Sequence, residues 1–336
     1  MKIGMTYDLR REYLAMGYGE EETAEFDRED TVDHIDDALR ALGHETDRIG
    51  NVRQLAARLV KGDRWDLVFN VAEGLHGIGR EAQVPALLDA YEVPYTFSDS
   101  LVSALTLHKA LTKSVLRDHG VPTIDSCLVE GPEDLSRVPF PFPVFVKPVA
   151  EGTAKGIDAR SRVDDRVQLA KRCRHVVDTY RQPALVEPYL PGREFTTSVL
   201  GTGRDARVLG TLEITLRVGA ERDAYTYVNK ERCEELVTYT LAGEPWARRC
   251  TKIAIGAWHA LGCRDGGRVD LRCDARGDLF VLEVNPLPGL HPEHSDLPMT
   301  ATAVGTGYVE LIGAIVESAV RRIEGAADAH AVGRAR

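Results

Sequence analysis

Two carboxylates and an amide stand out in GGRVDLRCDARGDLFVLEVNPLPGL, residues 266–290. Side chains alternate faces along a strand. Arg268 and Asp270 therefore share a face of one strand, and Glu283 and Asn285 share a face of the next. With a turn at Asp274 to Gly277, Asp270 is expected opposite Val281 and diagonal to Glu283. Leu279, Phe280, Val281, Leu282 and Val284 make the second strand apolar on both faces, so it should be covered. A carboxylate in a covered strand needs a partner. Oxygen ligands of this kind suit Mg²⁺, which takes one or two carboxylates together with substrate phosphates. A solvated polar face is the alternative reading of the same residues.

A site for Mg²⁺ and phosphate needs cations and backbone N–H donors. The chain offers Lys109, Lys147 and Lys230. Lys147 ends an apolar strand and precedes Pro148, then Glu-Gly-Thr-Ala-Lys-Gly at 151–156. Small residues there let N–H groups close on phosphate oxygens. The P-loop pattern G-x-x-x-x-G-K-[ST] occurs nowhere, and Gly-Thr-Gly at 201–203 reads as a hairpin turn.

The elements that position these groups alternate. Lys2 to Tyr7 and Trp65 to Val71 read as strands, Glu29 to Leu42 and Gln83 to Ala90 as helices, and Val93 to Thr96 as a further extended segment. That alternation predicts an open α/β unit with a parallel sheet. A helix is expected over 101–120, and a proline-entered strand over Phe140 to Lys147. Asp164 to Tyr180 and Trp246 to Leu261 should be helices, with strands at 184–187, 194–200, 207–217 and 236–241. Tyr308 to Glu324 is the last expected helix, and residues 326–336 are small and polar, read as a disordered tail.

At 336 residues, the chain has room for about two domains of roughly 150 residues each. Lys plus Arg is 42 and Asp plus Glu is 52, a net charge of −10. That balance argues against a general binder of nucleic acid or anionic membrane, though not against a local phosphate site. The six cysteines form no C-x-x-C pair, so they read as incidental thiols. No apolar stretch approaches ~18 residues and no signal-peptide core is present, so a cytoplasmic protein is expected.

HGIGREAQ (76–83), LHKALTK (107–113), VFVKPVAEGTAKGI (144–157), LVEPYLPGREF (185–195) and RVDLRCDARGDLFVLEVNPLPGL (268–290) occur in one order. With these motifs the chain resembles the ATP-grasp superfamily, and within it the D-alanine–D-alanine ligase family, over residues 1 to 322. The resemblance implies three lobes: an N-terminal α/β domain (1–100), a small central α+β domain (101–190) and a C-terminal α+β domain (191–325). It implies an ATP-dependent carboxylate–amine ligase that joins two small amino-acid-like substrates through an acyl phosphate. Lys109 and Lys147 are then expected on the phosphates of ATP, with Glu151, Gly152, Thr153, Ala154 and Gly156 in the covering loop. Glu187 and Leu190 are expected at the adenine, Glu194 at the ribose, and Lys230 at the phosphates from a mobile loop. Asp270, Glu283 and Asn285 should hold two Mg²⁺ ions, for which Mn²⁺ could substitute. Arg268 and the N–H of Gly289 are the expected oxyanion donors. Ser295 is expected at the second substrate's carboxylate and His76 near the first substrate. The resemblance also implies a homodimer.

The departures from the family lie around the amino acid. Its Gly-Gly-x-Ser-x-Glu turn is replaced by DLRREYLAMGYGEEETAEFDRED after Tyr7. Glu21, Glu22, Glu25 and Glu29 are candidates for holding the substrate ammonium, and Glu25 is taken as the representative. The loop serine is Thr153, and Glu231 follows Lys230 where the family has tyrosine. These changes imply altered substrate choice with the nucleotide machinery kept. Two other readings stay open: a ligase acting on a peptide or protein terminus, and a non-catalytic nucleotide-binding module. HPEH (291–294) reads as a substrate-side loop rather than a closed zinc set.

Overall fold

The computed structural model describes residues 1–221 and 226–334, with side chains described to residue 325. Twelve strands among the described residues form three sheets. They are β1 (Lys2–Thr6), β2 (Glu45–Gly50), β3 (Leu67–Asn70), β4 (Cys127–Val129), β5 (Val144–Pro148), β6 (Arg162–Val163), β7 (Ala184–Pro188), β8 (Glu194–Leu200), β9 (Arg207–Leu216), β10 (Val237–Leu241), β11 (Gly266–Cys273) and β12 (Leu279–Asn285).

The first sheet is parallel, in the order β2-β1-β3. Both faces are covered, as a parallel sheet requires. On one face Ile3, Met5, Leu67 and Phe69 pack with Val32, Ile35 and Leu39 of helix Glu29–Ala41 and with Leu311, Ile312 and Ile315 of helix Tyr308–Arg334. On the other, Val68 and Trp65 pack with Leu55 and Leu59 of helix Val52–Val60 and Leu88 of helix Gln83–Ala90. Asn51 starts helix Val52–Val60 by accepting from the N–H groups of Arg53 and Gln54, a reciprocal cap with the Gln54 side chain. The extended segment expected over 93–96 makes only one isolated bridge, Tyr95 with Val68. The last helix runs on to Arg334, into the segment expected to be disordered, because its alanines favour helix. Residues 335 and 336 lie outside the described residues.

The second sheet is antiparallel, β4-β7-β5-β6, and buries Val144, Val146 and Val186 against Leu169, Cys173 and Val176 of helix Arg166–Tyr180. The third is β10-β9-β8-β11-β12, backed by Cys250, Ala254, Ala257 and Trp258 of helix Trp246–Leu261.

The helix expected over 101–120 is two, Ser100–Leu107 and Lys109–Asp118. His108, at ψ 87, breaks the run, and its ring accepts from the N–H of Leu111 to start the second. Val102, Leu116 and Val121 pack into the core of the third sheet rather than the second. Lys109 and Lys113 are therefore carried by a helix that leans on the C-terminal lobe. No single helix among the described residues is long and apolar enough to cross a membrane.

Candidate active site

The β11–β12 hairpin does not hold the expected register. Asp270 pairs directly with Glu283, while Leu271 pairs with Val281, so Leu282 is an extra residue in β12. The diagonal placement expected for Asp270 and Glu283 is corrected by this bulge. Its cause is on the outer edge of β12. The N–H of Val281 donates to the Pro122 carbonyl at 2.9 Å, and the Val281 carbonyl accepts from Thr123 Oγ1 at 2.9 Å. Lys113 Nζ donates to the Leu282 carbonyl at 3.0 Å. These contacts take β12 partly out of the ladder and bring the two carboxylates face to face.

Asn285 Nδ2 donates to Asp270 Oδ2 at 3.1 Å, and Asp270 Oδ1 is buried with no hydrogen-bond partner. Burial pushes Asp270 up to about 6 against the pull of Arg268, with Glu283 and Asp296 adding to the rise. Burial pushes Glu283 up as well, but Lys109 and Lys147 outweigh it and hold Glu283 well below the carboxylate range. Lys109 Nζ lies 3.2 Å from Glu283. An orphaned buried oxygen between two carboxylates and an amide is a fit for a hard divalent cation. No group of three His, Cys, Asp or Glu side chains suited to a metal forms among the described residues, so the third donor is the amide.

A cleft of about 420 Å³ opens beside this hairpin. Lys109, Glu151, Gly152, Thr153, Lys230, Arg268, Glu283, Asn285, Gly289 and Ser295, all expected in the site, line it. Lys147, Ala154 and Asp270 line a smaller cavity of about 80 Å³, which also shares Lys109, Glu151, Lys230 and Glu283. Arg268 Nε lies 3.2 Å from Asp296 and 3.5 Å from Asp270. Ser295 Oγ accepts from the N–H of His291 at 3.0 Å, and a Cβ on Gly289 would meet that Oγ at 2.8 Å. Gly289 therefore keeps the approach to its N–H open.

Glu187 is 3% exposed and lies between Lys113 at 2.9 Å and Lys147 at 3.0 Å. Leu190 is buried two residues beyond the end of that strand, and Glu194 on β8 pairs with Arg272 at 3.2 Å. Burial pulls Lys113 down to about 8, with Glu187 opposing the fall. Thr153 and Ala154 both adopt positive φ, 47° and 56°, a strained turn at the tip of the 151–156 loop. Gly156 has φ 71°, and a Cβ there would meet Pro148 at 2.5 Å.

The four glutamates expected to offer an ammonium site are all committed elsewhere. Glu21 accepts from Tyr180 Oη at 2.7 Å and from the N–H of Gly156 at 3.1 Å. Glu22 accepts from the N–H of Gly19, and Glu29 pairs with Arg11. Glu25 accepts from Arg80 through both oxygens at 2.8 and 2.9 Å, from Lys155 at 2.7 Å and from the N–H of Gly152 at 2.7 Å. Burial works to raise its pKa, yet Arg80 and Lys155 pull it down to about 2. Glu25 is thus a strut between the first lobe and the covering loop. His76 is likewise corrected: it is exposed, within 3.4 Å of Tyr18 Oη, and does not line the cleft. The N–H of Gly74 donates to Asp8 at 2.9 Å, and a Cβ on Gly74 would meet the Arg80 carbonyl at 2.7 Å. This tight turn sends Glu73 into the cleft in place of His76.

Sequence reasoning missed Arg80, Lys155, Lys113, Asp27 and Glu73. Arg80 and Lys155 sit inside the quoted motifs GREAQ and EGTAKG, where charged residues among small ones were the available signal.

The family model "D-ala D-ala ligase C-terminus" matches residues 133–317. A D-alanine–D-alanine ligase of Bordetella avium is 34% identical over 261 residues, 76% of this chain and 80% of the relative. An uncharacterised protein of Sinorhizobium fredii is 35% identical over 310 residues, 88% of each chain. The ATP complex of D-alanine–D-alanine ligase from Bacillus anthracis superposes with a TM-score of 0.73 at 23% identity, covering 97% of this chain and 98% of that one. With more than half of the chain matched by the family model, and with a named relative 34% identical over 76% of the chain, the protein belongs to the D-alanine–D-alanine ligase family.

Proposed function

We propose that the protein is an ATP-dependent ligase that forms an amide bond between two small amino-acid-like substrates. The observation that carries this reading is the convergence of three groups on the cleft and the smaller cavity that shares its wall. These are the Asp270–Glu283–Asn285 set, the lysines Lys109, Lys147 and Lys230, and the donors Arg268 and Gly289.

In the first step a carboxylate oxygen of one substrate attacks the γ-phosphorus of ATP. A new P–O bond forms, the bond to the β-phosphate oxygen breaks, and ADP leaves. Both reacting groups are anionic, so Lys109, Lys147 and Lys230 offset their repulsion. Asp270, Glu283 and Asn285 would hold Mg²⁺, two ions in this reading, which neutralises phosphate charge when bound. The 151–156 loop, anchored through Glu25, shields the acyl phosphate from water. In the second step the amine of the other substrate attacks the acyl carbon and loses a proton. Arg268 and the Gly289 N–H face the developing oxyanion, and donors of this type are worth about 3–4 kcal/mol each. Phosphate leaves and the amide remains. Ser295, which lines the cleft, would meet the acceptor's carboxylate.

Glu187 and Leu190 serve the adenine and Glu194 the ribose in the same proposal, which also includes a homodimer. D-alanine is the first substrate to try, because it is named for the relatives. A protein terminus as acceptor is less well supported, because the first-lobe segment closes on the covering loop through Glu25 and Glu21. The test is to supply ATP, Mg²⁺ and a panel of amino acids, following phosphate release and product mass together. ATP binding without amide formation for every acceptor would instead support a nucleotide-binding module.

A further inference from the structure

The first-lobe end of the cleft gathers more carboxyl groups than one ammonium requires. Asp27, Glu73 and Glu81 all line it. The structure gives none of these three carboxylates a hydrogen bond or ion pair among the described residues. Four cations of the cleft are committed to other carboxylates. Arg10 pairs with Glu20, Arg28 with Asp30, Lys109 with Glu283, and Arg268 with Asp270 and Asp296. Glu25, the remaining first-lobe carboxylate there, is neutralised by Arg80 and Lys155.

The three free carboxylates are not equivalent. Glu81 feels Arg80 and Lys109, which offset part of its charge at the nucleotide end. Asp27 has only Asp8 and Asp30 as charged neighbours of consequence, both of its own sign. Glu73 lies between, repelled by Glu81, Glu25 and Asp27, with Arg80 opposing. Carboxyl groups gathered in a desolvated cleft hold their protons until a cationic ligand completes them. Asp27, Glu73 and Glu81 form no three-donor metal group among the described residues. The missing partner is organic and cationic, and it enters beside the acyl-transfer donors.

We propose that the acid activated in this cleft is a diamino acid, and that Asp27 and Glu73 recognise its two ammonium groups. This deepens the ligase reading and rests on it. Asp27 and Glu73 come from separate segments, one preceding helix Glu29–Ala41 and one following β3, so they present charges from two sides. A short diamino acid carries its two ammonium groups on neighbouring or nearby carbons and can meet both. Alanine would leave one carboxylate buried without a partner, which is the arrangement that gives strong discrimination against a ligand lacking a polar group.

The experiment uses the full chain with ATP and Mg²⁺. Both enantiomers of alanine, 2,3-diaminopropionate, ornithine and lysine are offered singly and in pairs, with kcat/KM from phosphate release and products from mass. Thermal shift by each amino acid without nucleotide is measured alongside. A diamino acid should exceed alanine by about tenfold or more in kcat/KM, and Asp27→Asn and Glu73→Gln should each cut that ratio about tenfold. The same variants should lose the thermal shift. Preference for alanine, or a diamino-acid preference untouched by both substitutions, overturns the proposal. If no amino acid is turned over, the ligase reading fails on its own. The thermal shift then decides the remainder: a diamino-acid shift lost in Asp27→Asn supports the recognition residues, and no shift by any diamino acid overturns them.

Discussion

Arg80 grips Glu25 through both carboxylate oxygens, at 2.8 and 2.9 Å, across the seam between the first lobe and the covering loop. Both side chains are nearly sealed from solvent, 6% and 5% exposed. Removing one partner of such a pair leaves the other charge buried. Arg80→Met should cost about 3 kcal/mol, softened by the Lys155 contact that remains. Urea unfolding measures this, and a loss below about 0.5 kcal/mol would place the pair in the solvent-screened class.

Gly152 stands against the same carboxylate. A Cβ there would lie 2.3 Å from Glu25 Oε1 and displace the acceptor of its own N–H. Gly152→Ala should lower kcat about tenfold or more by loosening the loop over the phosphates, and displacing Glu25 from Arg80 should lower the melting temperature as well. Wild-type turnover would show that the covering loop does not depend on Glu25.

Glu283→Gln removes the charge that faces Asp270 and pairs with Lys109. Turnover should fall about a hundredfold or more, and the Mg²⁺ concentration needed for half-maximal rate should rise. Circular dichroism should match the parent protein. Unchanged turnover would remove the hairpin from the metal assignment.

Asp27 gives a pH signature. Burial raises it from 3.8 to about 8, with Asp8 and Asp30 adding to the rise. Glu73 and Tyr308 also feel its charge. The folded state then holds the proton more tightly than the unfolded state. Stability from this group is intact below about pH 4, declines as pH climbs toward 8, and is fully lost above it. Asp27→Asn should therefore stabilise the free protein by about 1–2 kcal/mol at pH 9, and by much less at pH 4.5. A gain that is the same at both pH values would mean Asp27 ionises as an ordinary carboxylate.

The nucleotide half of the site was legible because its residues lie on regular elements. Alternation along 266–273 and 279–285 put the right side chains on one face, and apolar flanks marked both strands as covered. The bulge at Leu282 was not legible, since it depends on Pro122, Thr123 and Lys113, residues about 160 positions away. Strand β2 escaped notice because Glu45–Gly50 is largely polar and buries only its last two residues. The amino-acid half was hardest. Which acid among Glu21, Glu22, Glu25, Asp27 and Glu29 remains free is decided by distant partners such as Arg80, Lys155 and Tyr180. Charge alone cannot rank them.

The helix Tyr308–Arg334 completes the core begun by Ile3 and Met5. A ribosome makes those two strand residues well before Leu311, Ile312 and Ile315, with the other two sheets in between. The opening sheet must therefore wait, incompletely covered, while the other two sheets emerge and settle. The first lobe begins before the other two and becomes whole after both.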